Sequence, residues 1–240
     1  MSTSCFDWAP RRNGFLVGVT LLWAALTAIG FSWVGTRLWT DRLPDHPTDR
    51  MIGAAVGGLV VGRLVAMALQ GINPLTHPLD ILIVRGGVHT GAASVGAIVT
   101  YLWADKWRIV DLDATAPAAV LGLAGWHAGC LWRGACLGTA SGLPWAWAEP
   151  GSAVTRHPVE LYAAAGLIVA AWLVSRLPWR LLTRAGAALA LVGLVRLLTE
   201  PMRPSLTGGP VGWYLAAVVL GGLAAWLGPR LAGQRGTAPT

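Results

Sequence analysis

The chain has 240 residues, of which 55% are hydrophobic and only 12% charged, with 14 tryptophans and a formal net charge of +7. A soluble domain of this size carries about a quarter charged residues, so the composition excludes an ordinary water-soluble globule. The positive balance calls for no nucleic acid, because arginines beside anionic lipid headgroups account for most of it.

The apolar residues fall in seven runs, at 14–35, 51–70, 88–103, 114–132, 158–175, 185–198 and 211–228. A helix needs about 20 such residues to cross a bilayer. The fold class is therefore all-α: a polytopic membrane helix bundle with about seven transmembrane helices, the third and sixth being short. The first run follows Arg11 and Arg12 but is too long for a signal-peptide core, and no clear cleavage site follows it. The organisation is an N-terminal segment over 1–13, a single transmembrane domain over 14–228 and a disordered cytoplasmic tail over 229–240.

With the N-terminus outside, the inner segments hold ten basic residues (Arg37, Arg42, Arg50, Lys106, Arg108, Arg176, Arg180, Arg184, Arg230, Arg235). The outer segments hold five: Arg11, Arg12, Arg133, Arg156 and Arg203. The positive-inside rule then favours an outside N-terminus and a cytoplasmic C-terminus. The longest connection, 133–157, contains "TASGLPWAWAEPG". It reads as a loop at the water–lipid boundary, where tryptophan prefers to sit.

Arg63, Arg85, His89, His127, Glu160, Arg196 and Glu200 lie within or at the edges of the apolar runs. A charge at a helix centre costs about 2.5–3.5 kcal/mol on insertion scales, so such residues usually face a polar cavity. Arg196 and Glu200 are spaced i,i+4 and share one helix face. A structural ion pair explains that spacing as well as a functional one does. Three arginines and two histidines in one bundle favour a site for an anionic substrate, and the planar fork of arginine suits phosphate.

The stretch "HAGCLWRGACLG" (127–138) places His127, Cys130 and Cys136 close together. Structural zinc sites need four ligands and favour close cysteine pairs, so metal is the weaker reading, and lone cysteines in apolar helices mostly act as small hydrophobes. A Cys130–Cys136 disulfide is open to a segment facing the oxidising side. The glycines would open the backbone at the outer end of a span.

Six blocks in order then carry a resemblance. "VVGRLV" (60–65), "IVRGGV" (83–88), "DATAPAAVLGLAGWHAG" (113–129), Gly129–Gly138 with the "LPW" that follows, "RHPVELY" (156–162) and "VRLLTEPMRP" (195–204) resemble the pattern of the prolipoprotein diacylglyceryl transferase family. The resemblance implies a multi-pass enzyme of the bacterial cytoplasmic (inner) membrane. Such an enzyme moves the diacylglyceryl group of phosphatidylglycerol, a membrane lipid, to the lipobox cysteine of a precursor protein and releases glycerol phosphate. It implies no metal and no organic cofactor. The reaction needs a base, because a free thiol with a pKa near ~8.5 is mostly protonated at neutral pH. It also needs fixed positive charge where the phosphate gathers electrons. Arg196 and Arg203 are expected to clamp the phosphate with Glu200 orienting Arg196, and His127 or His89 to serve as base. Arg63, Gly86, Gly87, Gly129, Gly134 and Arg156 are expected to line the substrate site.

The chain departs from the family pattern at several positions. His127 stands where better-known members carry arginine, Cys130 where they carry asparagine, Ala163 where a Glu follows their Leu-Tyr, and Gly91 at their His/Tyr position. Glu160 lies one turn before Ala163 and His89 two residues before Gly91. Two alternatives stand beside the transferase reading. One is a diverged paralogue that acts on another lipid or acceptor, or binds lipid without catalysis. The other is a transporter of an anionic small molecule, which predicts repeat symmetry between the halves; none is visible.

Overall fold

Residues 14–39, 43–76, 87–149, 151–204 and 209–235 are described by a computed structural model. The helices are α1 (Gly14–Leu38), α2 (Pro47–Leu69), α3 (Thr90–Ala104), α4 (Ile109–Ala128), the short α5 (Cys130–Arg133), α6 (Val159–Arg176), α7 (Thr183–Thr199) and α8 (Val211–Arg235). A 3-10 turn, Glu200–Met202, prolongs α7. Among the described residues six helical stretches are long and apolar enough to cross a membrane, and α3 is a shorter apolar helix. In hydrocarbon every backbone polar group must be satisfied within the segment, which is why apolar runs of this length become helices.

Buried α4 forms the middle of the bundle, packed against α1, α6 and α7, while α2 pairs with α3 and α7 with α8. Its core is made of small and medium side chains, among them Ala116, Val120 and Ala124 of α4 against Leu167, Ala170 and Ala171 of α6. Lipid supplies no hydrophobic drive between helices, so close backbone approach has to supply the packing. Gly186 of α7 and Gly221 of α8 show this reciprocally: a Cβ on either would stand 2.6 Å from the carbonyl oxygen of the other.

Three features differ from the sequence expectation. The sixth span is not short: Thr183–Met202 gives 20 residues. Arg184 interrupts its apolar run but is buried, stacked 3.8 Å over the Trp179 ring and donating to the carbonyls of Leu177 and Ser175. The 133–157 connection holds a small antiparallel hairpin, β1 (Trp147–Ala148) with β2 (Thr155–Arg156). Strands of two residues are too short to leave a period in the sequence. The last helix continues through Pro229 to Arg235, past the boundary expected at 228.

The two ends of the bundle carry different polar clusters. At one end, Arg50 of α2 pairs with Asp105 and lies 3.6 Å from Asp111. Asp113 of α4 accepts from the backbone N–H of Leu182 (2.6 Å) and of Ala185 (2.8 Å). A buried carboxylate thus supplies the N-terminal cap that α7 lacks locally. The candidate site occupies the opposite end.

Candidate active site

Three helix ends and one turn converge there. His127 belongs to the last turn of α4, Glu160 to the first turn of α6, and Arg196 to the last turn of α7, with Glu200 and Arg203 following in the 3-10 turn and just after it. His127, Glu160, Arg196 and Glu200 are all buried, and Arg203 is partly exposed. His127 Nδ1 lies 2.6 Å from Glu160 Oε2, and Arg203 donates to Glu160 Oε1. Glu200 Oε2 lies 3.9 Å from Arg196 Nη2 and 3.8 Å from Arg203 Nη1. The expected i,i+4 pair is therefore present, but as part of a network of two carboxylates, two guanidiniums and an imidazole. Arg196 Nη2 donates to the hydroxyl of Tyr214 on α8 (3.2 Å), while its Nη1 is buried with no hydrogen-bond partner among the described residues.

A cavity of about 390 Å³ opens beside these groups, lined by Glu160, Glu200 and Arg203 together with Ala135, Leu137 and Gly209. Its volume is in the range of small-molecule sites. One wall is the glycine-rich stretch. Gly129 ends α4, and Gly134 ends α5 with φ 64°, a left-handed backbone that suits glycine. Cys130 and Cys136, both buried, are joined by a disulfide across the loop between them. The loop is then tied to the start of α6: Gly138 N–H donates to His157 O (2.7 Å) and Glu160 N–H to Cys136 O (3.3 Å). Gly138 also abuts the 3-10 turn, where a Cβ would meet Met202 O at 2.1 Å. Arg156 braces the loop by donating to Gly138 O (3.2 Å).

The remaining predicted residues form a second group between α2 and α3. Arg63 donates to Gly87 O (3.0 Å), and His89 N–H donates to Gly62 O (3.0 Å). His89 Nδ1 accepts from Ala92 N–H, capping α3, and its ring meets Trp213 edge-on at 5.7 Å. Gly86 lies outside the described residues. The consecutive residues Trp213 and Tyr214 of α8 thus touch the second group and the Arg196 network respectively. His89 does not join the His127–Glu160–Arg203 network among the described hydrogen bonds; it is engaged as a helix cap.

Sequence reasoning missed Tyr214, Trp213 and Gly138 as parts of the site. The first two are brought in from another helix, and no spacing rule links them to Arg196 or His89. Gly138 had a weak signal as the last glycine of the loop stretch. Glu160, one turn before Ala163, holds both His127 and Arg203.

The comparisons with known proteins bear on the same arrangement. The family model described as prolipoprotein diacylglyceryl transferase matches residues 15–228. A phosphatidylglycerol–prolipoprotein diacylglyceryl transferase of Cupriavidus metallidurans is 31% identical over 202 residues, covering 78% of this chain and 73% of the relative. One from Cupriavidus necator is 30% identical over 179 residues, 70% of this chain and 65% of the relative. One from Chlamydia trachomatis is 25% identical over 208 residues, 74% and 76% respectively. With a match that runs from α1 to within α8, the chain belongs to the prolipoprotein diacylglyceryl transferase family.

Proposed function

We propose that this chain transfers the diacylglyceryl group of phosphatidylglycerol to the cysteine thiol of a lipobox-bearing precursor, at the outer face of the bacterial cytoplasmic membrane, and releases glycerol phosphate. The observation that carries this reading is the pair of guanidiniums, Arg196 and Arg203, held by Glu200 and Glu160 beside a cavity at the helix ends. Displacement at a glyceryl carbon sends an electron pair onto phosphate, and preorganised cations placed there stabilise the transition state. Arg196 Nη1, buried without a hydrogen-bond partner among the described residues, is a donor available to a phosphate oxygen. Glu200 holds Arg196 in place, and the Arg63–Gly87 contact together with the Gly129–Gly138 loop shapes the surroundings.

The orientation belongs to the same proposal. With the N-terminus outside, the site end of the bundle faces out and the Arg50–Asp105–Asp111 end faces the cytoplasm. The Cys130–Cys136 disulfide beside the site supports this, because disulfides persist on the oxidising side of the membrane.

A second reading, a diverged paralogue that binds lipid without transfer, is favoured by one observation. The family's His/Tyr position is Gly91, and the Trp213 ring fills the space beside it. One experiment decides between the two. Purified full-length protein, phosphatidylglycerol and a lipobox peptide are incubated, and the peptide is read by mass spectrometry. One diacylglyceryl group on the cysteine is expected, and none on a Cys→Ser peptide, because a hydroxyl is a far weaker nucleophile at neutral pH. No adduct from any phospholipid leaves the lipid-binding paralogue.

A further inference from the structure

The site contains an acid–base pair that the family pattern does not supply. His127 and Glu160 are 33 residues apart in sequence, on α4 and α6, and their side chains meet at 2.6 Å, both buried. The family pattern has arginine at the first place, and its Arg-His-Pro-x-Gln-Leu-Tyr block, which "RHPVELY" (156–162) resembles, has glutamine at the second. Arginine stays protonated and glutamine does not titrate, so neither can take a proton from a thiol. At Gly91 the family's His/Tyr is missing, and a Cβ there would stand 2.4 Å from the Trp213 ring. His89 is spent on capping α3.

The charge balance of the cluster points the same way. Glu160 is hydrogen-bonded to Arg203, and Glu200 lies between Arg203 and Arg196. Two carboxylates face two guanidiniums, one of them partly exposed, so the set is neutral when His127 is uncharged. The other charged groups nearby are cations: Arg133 of α5, stacked 4.9 Å over Trp126, and Arg156, bonded to Gly138 O. A protonated imidazole would add an unmatched charge to a buried site, which is costly.

The carboxylate also fixes the tautomer. An ionised carboxylate only accepts, so Nδ1 carries the hydrogen and the lone pair is left on Nε2. Nε2 makes no hydrogen bond among the described residues.

We infer that His127 is the general base of this chain and Glu160 the positioning residue that holds it, a reading that rests on the transferase function proposed above. The acceptor thiol gives its proton to Nε2 as its sulfur bonds to the glyceryl carbon. The carbon–oxygen bond to phosphate breaks, and the electron pair leaves on that oxygen, held by Arg196 and Arg203. The imidazolium formed at His127 offsets the charge gained by the phosphate and gives up its proton as glycerol phosphate departs. The family's reaction is retained, with its base moved to another helix.

The test measures transfer from phosphatidylglycerol nanodiscs to a lipobox peptide as a function of pH. The set is wild type, Glu160→Gln, Glu160→Asp, His127→Arg and the double variant His127→Arg/Glu160→Gln, which restores the family's own pair. Thermal melts and binding of phosphatidylglycerol confirm that each variant is folded. Glu160→Gln is expected to lose about 100-fold or more in kcat with little change in KM for the lipid, and Glu160→Asp to recover part of the loss. The wild-type rate should fall at low pH as His127 takes up a proton, beyond the fall due to the thiol alone. Both arginine variants should bind lipid and transfer nothing. Turnover in the double variant within a few-fold of wild type would overturn the base assignment while leaving the transferase function intact. No adduct with the wild type would overturn both.

Discussion

Gly91 on α3 and the indole of Trp213 on α8 are in direct contact: a methyl group placed on Gly91 would stand 2.4 Å from Cδ2 and Cε2 of the ring. The tryptophan fills the space that a larger residue at 91 would need. Gly91→His is therefore expected to destabilise the protein rather than restore the family pattern, because overpacking costs about 1–3 kcal/mol. Adding Trp213→Ala should recover most of the loss. Thermal melts of the two variants check this, and an unshifted midpoint in the single variant would show that α8 yields freely.

Arg196 is expected to be indispensable for transfer. Arg196→Ala should lower the rate by about 100–1000-fold, the cost of removing a preorganised donor from developing charge. Arg196→Lys should remain poor, because a point charge cannot reproduce a planar fork on phosphate. Tyr214→Phe removes only a neutral partner of Nη2, and its effect should be under about 10-fold. A fully active alanine variant would leave Arg196 with a structural role.

Gly138 couples the loop to the turn that carries Arg203. A Cβ there would meet Met202 O at 2.1 Å, and that carbonyl already accepts from Thr139 N–H at 2.8 Å. Gly138→Ala must displace one of the two segments. The expected loss of activity is about 10–100-fold, the scale on which small displacements of reacting groups act. The steady-state rate of a variant shown to be folded is the measurement.

The disulfide and the orientation can be tested together. A reporter fused after Thr240 should behave as cytoplasmic, and a tag within 139–150 should be accessible from outside. In intact protein, Cys130 and Cys136 should resist alkylation until reduced. The purified protein should carry no stoichiometric zinc, and replacing both cysteines with alanine should leave it folded but less stable by about 2 kcal/mol on the loop-entropy scale for so short a loop. The reverse reporter pattern would place the glycine loop on the wrong side for a secreted precursor.

The spans were legible in the sequence because the bilayer itself sets their length and polarity, and Arg196–Glu200 was legible because one helical turn sets its spacing. The helix ends were less so. Arg184 breaks an apolar run yet is buried through Trp179 and two carbonyls, which no local pattern announces. The His127–Glu160 pair was hidden for a similar reason. Each residue is readable as an oddity within its own span, but their meeting depends on how α4 packs against α6. His89 shows the converse. Its nearness in sequence to position 91 made it a candidate base, whereas the first turn of α3 uses it as a cap.

His127, Glu160 and Arg196 sit at the ends of α4, α6 and α7 rather than at mid-span. A phospholipid can therefore present its headgroup to Arg196 and Arg203 while both acyl chains stay among their neighbours in the leaflet. On the proposed function the donor need not be extracted and is expected to arrive by lateral diffusion in two dimensions. Its effective concentration is then a mole fraction of the membrane. Diluting phosphatidylglycerol with a neutral lipid should slow the reaction at constant total lipid, whereas adding more vesicles of the same composition should not speed it.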